Sequence, residues 1–159
     1  GIPVAVHAIG DRAVEQVVSA ISSLRKENGC SALVRIEHAQ FISPEAAFSA
    51  REAGIVLSMQ PNFSMDSLMY SDRLHTHYLP LNNPFRMLID RAGFIPGRDL
   101  LFGSDGMPHG MQAAVQSALY PPFQEQALTL EEFKAGYCLE DSDIEWWIQL
   151  DGNLVEVLG

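Results

Sequence analysis

Histidine and aspartate at the ends of apolar runs are the residues of this 159-residue chain best placed to do chemistry. His7 follows the apolar run Ile2 to Val6, and His38 ends the run that starts near Leu33. Asp105 comes after Asp99 to Phe102 and the pair Gly103-Ser104. A neutral imidazole offers a lone pair to zinc or iron, and a carboxylate binds the same ions while also accepting a proton. One histidine at a strand end would ordinarily be a hydrogen-bonded structural residue. Two histidines and an aspartate at matching ends of three strands point to a shared metal site, with the structural reading as the alternative.

Residues placed this way need strands to carry them and helices to space the strands. Ile2 to Val6 has the apolar, β-branched character of a strand buried on both faces. Asp11 then caps a helix whose Val14, Val17, Val18, Ile21 and Leu24 recur at helical spacing, ended by Gly29. A second strand runs from about Leu33 to Glu37. Ser43-Pro44-Glu45 opens a second helix with a capping hydroxyl, a proline in the first turn and an early acid. That helix ends at Gly54, and Ile55 to Met59 is the third strand.

A long irregular segment spans Pro61 to about Leu81. A helix follows over Pro84 to Ala92, closed by Gly93, and then the fourth strand at Asp99 to Phe102. Beyond it, Met111 to Leu119 reads as a helix, and Thr129-Leu130-Glu131-Glu132 is a capping box opening another. Ile144 to Leu150 and Leu154 to Leu158, joined by Asp151-Gly152-Asn153, read as a hairpin. Strands alternating with helices predict an α/β fold with parallel pairing and right-handed crossovers. Functional residues in such folds lie where strands end, which is where His7, His38 and Asp105 stand.

Four segments carry a resemblance: His7-Ala-Ile-Gly-Asp-Arg-Ala13, Arg35-Ile-Glu-His-Ala-Gln40, Ser58-Met-Gln-Pro61 and Phe102-Gly-Ser-Asp105. In this order they resemble successive motifs of the amidohydrolase superfamily, in the branch that holds N-substituted formamide deformylase and related metal-dependent hydrolases. The resemblance implies that the chain is the second half of a (β/α)8 TIM-like barrel, strands five to eight with their helices, plus a short C-terminal β hairpin. Residues 1–140 would form the half-barrel and residues 141–159 the hairpin, a remnant of a small flanking β domain.

The resemblance further implies that His7 and His38 hold a divalent metal, zinc, with Asp105 as a third metal residue. The metal would polarise a carbonyl and activate water, and Asp105 would carry the proton from that water to a leaving nitrogen. The expected reaction is hydrolysis of a non-peptide carbon–nitrogen bond in a small-molecule amide or formamide. The His-x-His pair of the first barrel strand and the bridging residue of the fourth, expected upstream of Gly1, are absent from the chain. The set is therefore expected to be part of an active site, in a trimmed or partial chain.

Other candidates have competing readings. Gln60 either contacts substrate or orders its loop. His109, four residues past Asp105, either reaches the substrate or is a loop histidine. His75 and His77 could replace the missing His-x-His pair only from a strand, and their flanks do not make one, so a loop contact is the default. Asp11 and Arg12 are better explained as a cap with a neighbouring ion pair than as catalytic charges. Glu37 is expected to be structural, because consecutive strand residues point to opposite faces and His38 takes the metal side. Phe63, Met65, Leu68, Met69 and Tyr70 line a pocket or form a lid. Trp146 and Trp147 are expected to bury against the barrel or a partner.

Composition narrows the class. Ten basic against twenty acidic residues leave a formal charge of −10, unsuited to a nucleic-acid partner. No stretch is long and apolar enough for a membrane span and no signal segment is visible, so a cytoplasmic protein is expected. Cys30 and Cys138 have no metal-ligand spacing. No strand is followed by Gly-x-Gly-x-x-Gly or a P-loop, which speaks against nucleotide binding. A non-catalytic alternative is a half-barrel that pairs with itself, as a homo-oligomer, or with a complementary N-terminal half.

Overall fold

The computed structural model describes residues 2–106, 110–137 and 147–158. Four strands, β1 (Val4–Ala8), β2 (Val34–His38), β3 (Val56–Met59) and β4 (Leu100–Phe102), form a parallel sheet in the order β1-β2-β3-β4. Helices α1 (Asp11–Asn28) and α2 (Pro44–Glu52) make the first two crossovers. The third crossover holds short helical pieces: a 3-10 turn at Pro61–Met65, α3 (Asp66–Met69), a 3-10 turn at Thr76–Leu81 and a π-helical turn at Met87–Arg91. Helices α4 (Met111–Leu119) and α5 (Leu130–Tyr137) and an antiparallel hairpin, β5 (Trp147–Asp151) with β6 (Leu154–Leu158), complete the described chain.

One face of the sheet makes the core. Val34, Ile36, Leu57, Met59, Leu100 and Phe102 alternate onto that face and are buried beside Val14, Val18, Ala46, Ala47 and Ala50 of the helices. The opposite face carries Ala5, His7, Arg35, Glu37, Val56, Ser58 and Leu101, and none of these is fully buried. Parallel register partners leave the sheet on the same side, so His7 and its partner Glu37 share this open face.

The local signals read from the sequence act largely as expected. Ser43 Oγ accepts from the Ala46 N–H, with Pro44 in the first turn of α2. The capping box is closed in both directions, Glu132 N–H to Thr129 Oγ1 at 3.1 Å and Thr129 N–H to Glu132 Oε2 at 2.8 Å. Gly29 takes a left-handed conformation at the end of α1 and donates its N–H to the Arg25 carbonyl.

Other expectations need correction. β1 is an edge strand and largely exposed, not buried on both faces, because it has a neighbour on one side only. It also begins two residues later than the apolar run, at Val4, so His7 lies inside the strand. Gly10, not Asp11, is the N-cap of α1. Asp11 is the first helical residue; its Oδ1 accepts from the Arg12 backbone N–H and its Oδ2 from the Tyr78 hydroxyl. The expected helix at Pro84 to Ala92 is a wider turn, closed by the Ala92 N–H on the Met87 carbonyl, with Phe85 and Leu88 still buried.

The segment after β3 is not irregular. Asn82 donates its side-chain N–H to the Phe63 and Ser64 carbonyls and to Ser67 Oγ, and Asn83 donates to the Gln60 carbonyl and Ser64 Oγ. These bonds staple the two ends of the segment together. Apolar periodicity could not reveal them, because the organising residues are polar.

The hairpin has no core of its own. Val155 joins the main core, and Gln112 and Gln116 of α4 exchange hydrogen bonds with the backbone of residues 153–157. Trp147 is 66% exposed, so it does not bury against the sheet and its helices. Ile144, Trp146, Cys138, His109 and the expected boundary between residues 140 and 141 lie outside the described residues.

Candidate metal centre

The carboxyl ends of β1, β2 and β4 bring His7, His38 and Asp105 together. The His7 and His38 rings meet edge to face with centroids 4.6 Å apart. Asp105 Oδ2 lies 3.9 Å from His38 Nδ1, too far for a direct hydrogen bond and close enough for charge to be felt. His38 is nearly buried, its side chain 10% exposed, whereas that of Asp105 is 54% exposed.

Strict strand alternation would send His38 to the helix-covered face with Val34 and Ile36. It does not hold there. His38 and Ala39 take positive φ values of 74° and 49°, a conformation that costs a non-glycine residue about 1–2 kcal/mol. The turn ends the strand and brings the His38 ring against that of His7. The kink is held by the Ala39 N–H, which donates to the Ala8 and Glu37 carbonyls at 2.9 and 3.1 Å. Alternation thus gives the wrong reason for setting Glu37 aside. Glu37 shares the face of His7, and its carboxylate is engaged instead by the Arg35 guanidinium.

Asp105 is also left-handed, with φ 49°. Its approach is fixed by Gly103, whose N–H donates to the Met59 carbonyl, and by Asn62, whose side chain donates to the Ser104 carbonyl. Asn83, at φ 50°, is the other non-glycine residue in this region. Backbone strain among the described non-glycine residues is therefore gathered at the carboxyl ends of the strands and the loop that braces them.

Gln60 is buried, 5% exposed, and turned to the histidine: its Oε1 lies 2.8 Å from His38 Nδ1. Phe63 stacks over His38 with centroids 6.2 Å apart. Gln40 donates to Asp66 Oδ2 at 2.9 Å; burial outweighs that bond and holds the Asp66 carboxyl above its ordinary range. Phe63, one of the residues expected in a pocket or lid, is the one placed beside His38. Gln40, Asn62 and Asn83 were not singled out as site residues in the sequence. Gln40 closes one of the quoted motifs and Asn62 follows another, and that position is a weak signal.

His75 and His77 stand away from this group. They are exposed at the start of the 3-10 turn, where the His77 N–H donates to His75 Nδ1. Tyr78, next to them, spans to the first crossover: its hydroxyl donates to Asp11 Oδ2 at 2.9 Å, and its ring meets Phe41 edge to face. The bond to Asp11 and its negative charge push the Tyr78 hydroxyl above the ordinary phenol range. Ile9, Phe41, Leu74 and Tyr78 line an open, mainly apolar depression of about 330 Å³ beside the ends of β1 and β2.

In donor type, two imidazoles and a carboxylate suit a divalent ion. In arrangement they are short of a shell. Among the described residues, no three histidine, cysteine, aspartate or glutamate side chains converge so that they could hold one ion.

Residues 1–113 match the family model described as the amidohydrolase family. The chain belongs to the amidohydrolase family. A Bacillus subtilis (strain 168) protein provisionally named amidohydrolase YtcJ is 43% identical over 93 residues, 58% of this chain and 17% of that protein. Protein LONG AFTER FAR-RED 3 of Arabidopsis thaliana is 39% identical over 67 residues, 42% of this chain and 12% of its own length. The chain thus spans less than a fifth of either curated relative. Among solved structures, an uncharacterized metal-dependent hydrolase from Pyrococcus furiosus superposes with a TM-score of 0.58 at 23% identity, covering 82% of this chain and 25% of that one. Another from Pyrococcus horikoshii OT3 superposes with a TM-score of 0.56, also at 23% identity, covering 74% and 22%. These two share the fold. No helix among the described residues is long and apolar enough to cross a membrane.

Proposed function

We propose that the chain is part of a metal-dependent hydrolase that cleaves a non-peptide carbon–nitrogen bond in a small amide or formamide. The observation that carries the reading is the meeting of His7 and His38, with Asp105 alongside, at the carboxyl ends of parallel strands. The amidohydrolase family match supports it. The open face of the sheet supports a half-barrel, strands five to eight, whose remaining ligands come from chain outside these residues.

His7 and His38 would hold a divalent ion, zinc being the best match to the donor types. When bound, such an ion supplies carbonyl polarisation and a water of lowered pKa. Asp105 would accept a proton at its carboxylate and return it to the leaving nitrogen, a reading its 54% exposure beside His38 supports. Gln60 and His109 remain proposed substrate neighbours, and the formamide branch remains the finer proposal.

The test is amide hydrolysis by the polypeptide that supplies the other ligands. His7→Ala, His38→Ala and Asp105→Asn should each lower kcat/KM by about 100-fold or more. Near-full activity in all three would refute the assignment. A second reading rests on the exposed edge strand and open sheet face: a non-catalytic half-barrel that pairs with a second copy or a complementary half. Sedimentation of this chain separates the two, a well-behaved monomer counting against pairing with itself.

A further inference from the structure

We infer that Gln60 is a positioning residue for His38, holding the imidazole as the tautomer with its hydrogen on Nδ1 and leaving Nε2 as the nitrogen with a free lone pair. Its importance for a metal rests on the reading above. The tautomer itself does not.

The inference starts from the amide. A glutamine side chain has one oxygen that accepts and one nitrogen that donates. Gln60 Nε2 lies 3.3 Å from the Ser58 carbonyl oxygen, which can only accept. The opposite amide orientation would set oxygen against oxygen at that distance. With the nitrogen turned to Ser58, Oε1 is the atom facing His38 Nδ1 at 2.8 Å. An amide oxygen cannot donate, so the hydrogen between them belongs to Nδ1. In a neutral imidazole Nε2 is then bare.

The neighbours reinforce that choice. Asp105 Oδ2, 3.9 Å from the same nitrogen, adds negative charge that favours a hydrogen there. The Gln60 backbone cannot easily move, because its carbonyl accepts from the Asn83 side chain at 2.9 Å and from the Phe63 N–H at 3.0 Å. Gln60 is buried, so water does not readily replace its oxygen. The His7 ring, edge to face with His38 at 4.6 Å, and Phe63, with centroids 6.2 Å away, flank the imidazole. An ion arriving at Nε2 would meet a lone pair already exposed, with no tautomer exchange needed.

The experiment is long-range proton–nitrogen correlation on the chain labelled with ¹⁵N-histidine, without metal, at a pH above the ordinary imidazole range of about 6.5. His38, assigned by its absence in His38→Ala, should show the Nδ1–H pattern in the wild type. This needs no variant at Gln60, so a folding failure there cannot rescue or sink the proposal. Gln60→Leu should lose the preference. Zinc titration of the polypeptide that supplies the other ligands, followed at Nε2, should weaken about 10–100-fold in Gln60→Leu. An Nε2–H pattern in the wild type, or an unchanged pattern in Gln60→Leu, would overturn the inference. In the polypeptide that supplies the other ligands, zinc that leaves the wild-type His38 signal unmoved while the Nδ1–H pattern is present would overturn the metal reading and uphold the positioning role.

Discussion

On the helix-covered face of the sheet, side chains alternate as a strand requires, and Ile36, Leu57 and Leu100 reach complete burial. At the carboxyl ends of the same strands, alternation stops, and His38, Ala39 and Asp105 take left-handed backbone conformations. The covered face is built from local preferences that agree with one another. The rim is built against them and depends on braces such as the Ala39 N–H on the Ala8 carbonyl and the Asn62 side chain on the Ser104 carbonyl. Strain gathered where candidate ligands meet is what a functional rim on a structural scaffold would show.

The contrast breaks most visibly in stability. Leu57 is fully buried between the sheet and its helices, so Leu57→Ala should cost about 2–5 kcal/mol by denaturant unfolding. His7 is exposed on an edge strand, and His7→Ala should stay within about 0.5 kcal/mol of the wild type in the same measurement. Comparable losses at both positions would mean that the rim carries structural weight and that the division is wrong.

A smaller effect, set by pH, lies on the scaffold side. Arg86 binds Glu132 with two hydrogen bonds, at 3.0 and 2.7 Å, tying α5 to the turn after the third crossover's asparagines. Burial works to raise the Glu132 carboxyl, but the bonds from Arg86 and Thr129 overcome it and hold the group below its ordinary value. A carboxyl lowered on folding stabilises the chain above its unfolded pKa, about 4.3, and loses that contribution as pH falls through the folded value. The pair is partly solvated, so about 1 kcal/mol is at stake. Glu132→Gln should therefore flatten the fall in stability below pH 4.3 while leaving His38 signals unchanged. An acid profile identical to the wild type would show that the pair contributes nothing.

What could be read from the sequence follows the same division. Helix spacing in Val14, Val17, Val18 and Ile21, the Ser43-Pro44 start and the Thr129–Glu132 box are local signals, and each has its expected place in the structure. The three candidate ligands could be chosen because strand ends in parallel sheets share one edge. The exposure of β1 could not be read, since an apolar run looks the same at an edge and in the middle of a sheet. Nor could the turn of His38 toward His7. It depends on positive φ at a histidine and an alanine, residues whose types carry no such signal, and on hydrogen bonds to a neighbouring strand. The contact of Gln60 with His38 joins residues 22 apart in sequence and is likewise set by the tertiary fold.

The finest test compares two alanines that differ in backbone alone. Ala39 at the rim and Ala47 in α2 are both fully buried, so a glycine at either removes the same methyl group. In α2 the glycine also loses helix propensity, and Ala47→Gly should cost about 1–2 kcal/mol. At Ala39, with φ 49°, glycine relieves about 1–2 kcal/mol of left-handed strain, which offsets the lost methyl and the greater freedom of the unfolded chain. Ala39→Gly should therefore be nearly neutral, within about 0.5 kcal/mol, by denaturant unfolding. Equal losses at the two sites would show that the rim backbone is unstrained, and the proposed separation of scaffold from site would lose its energetic basis.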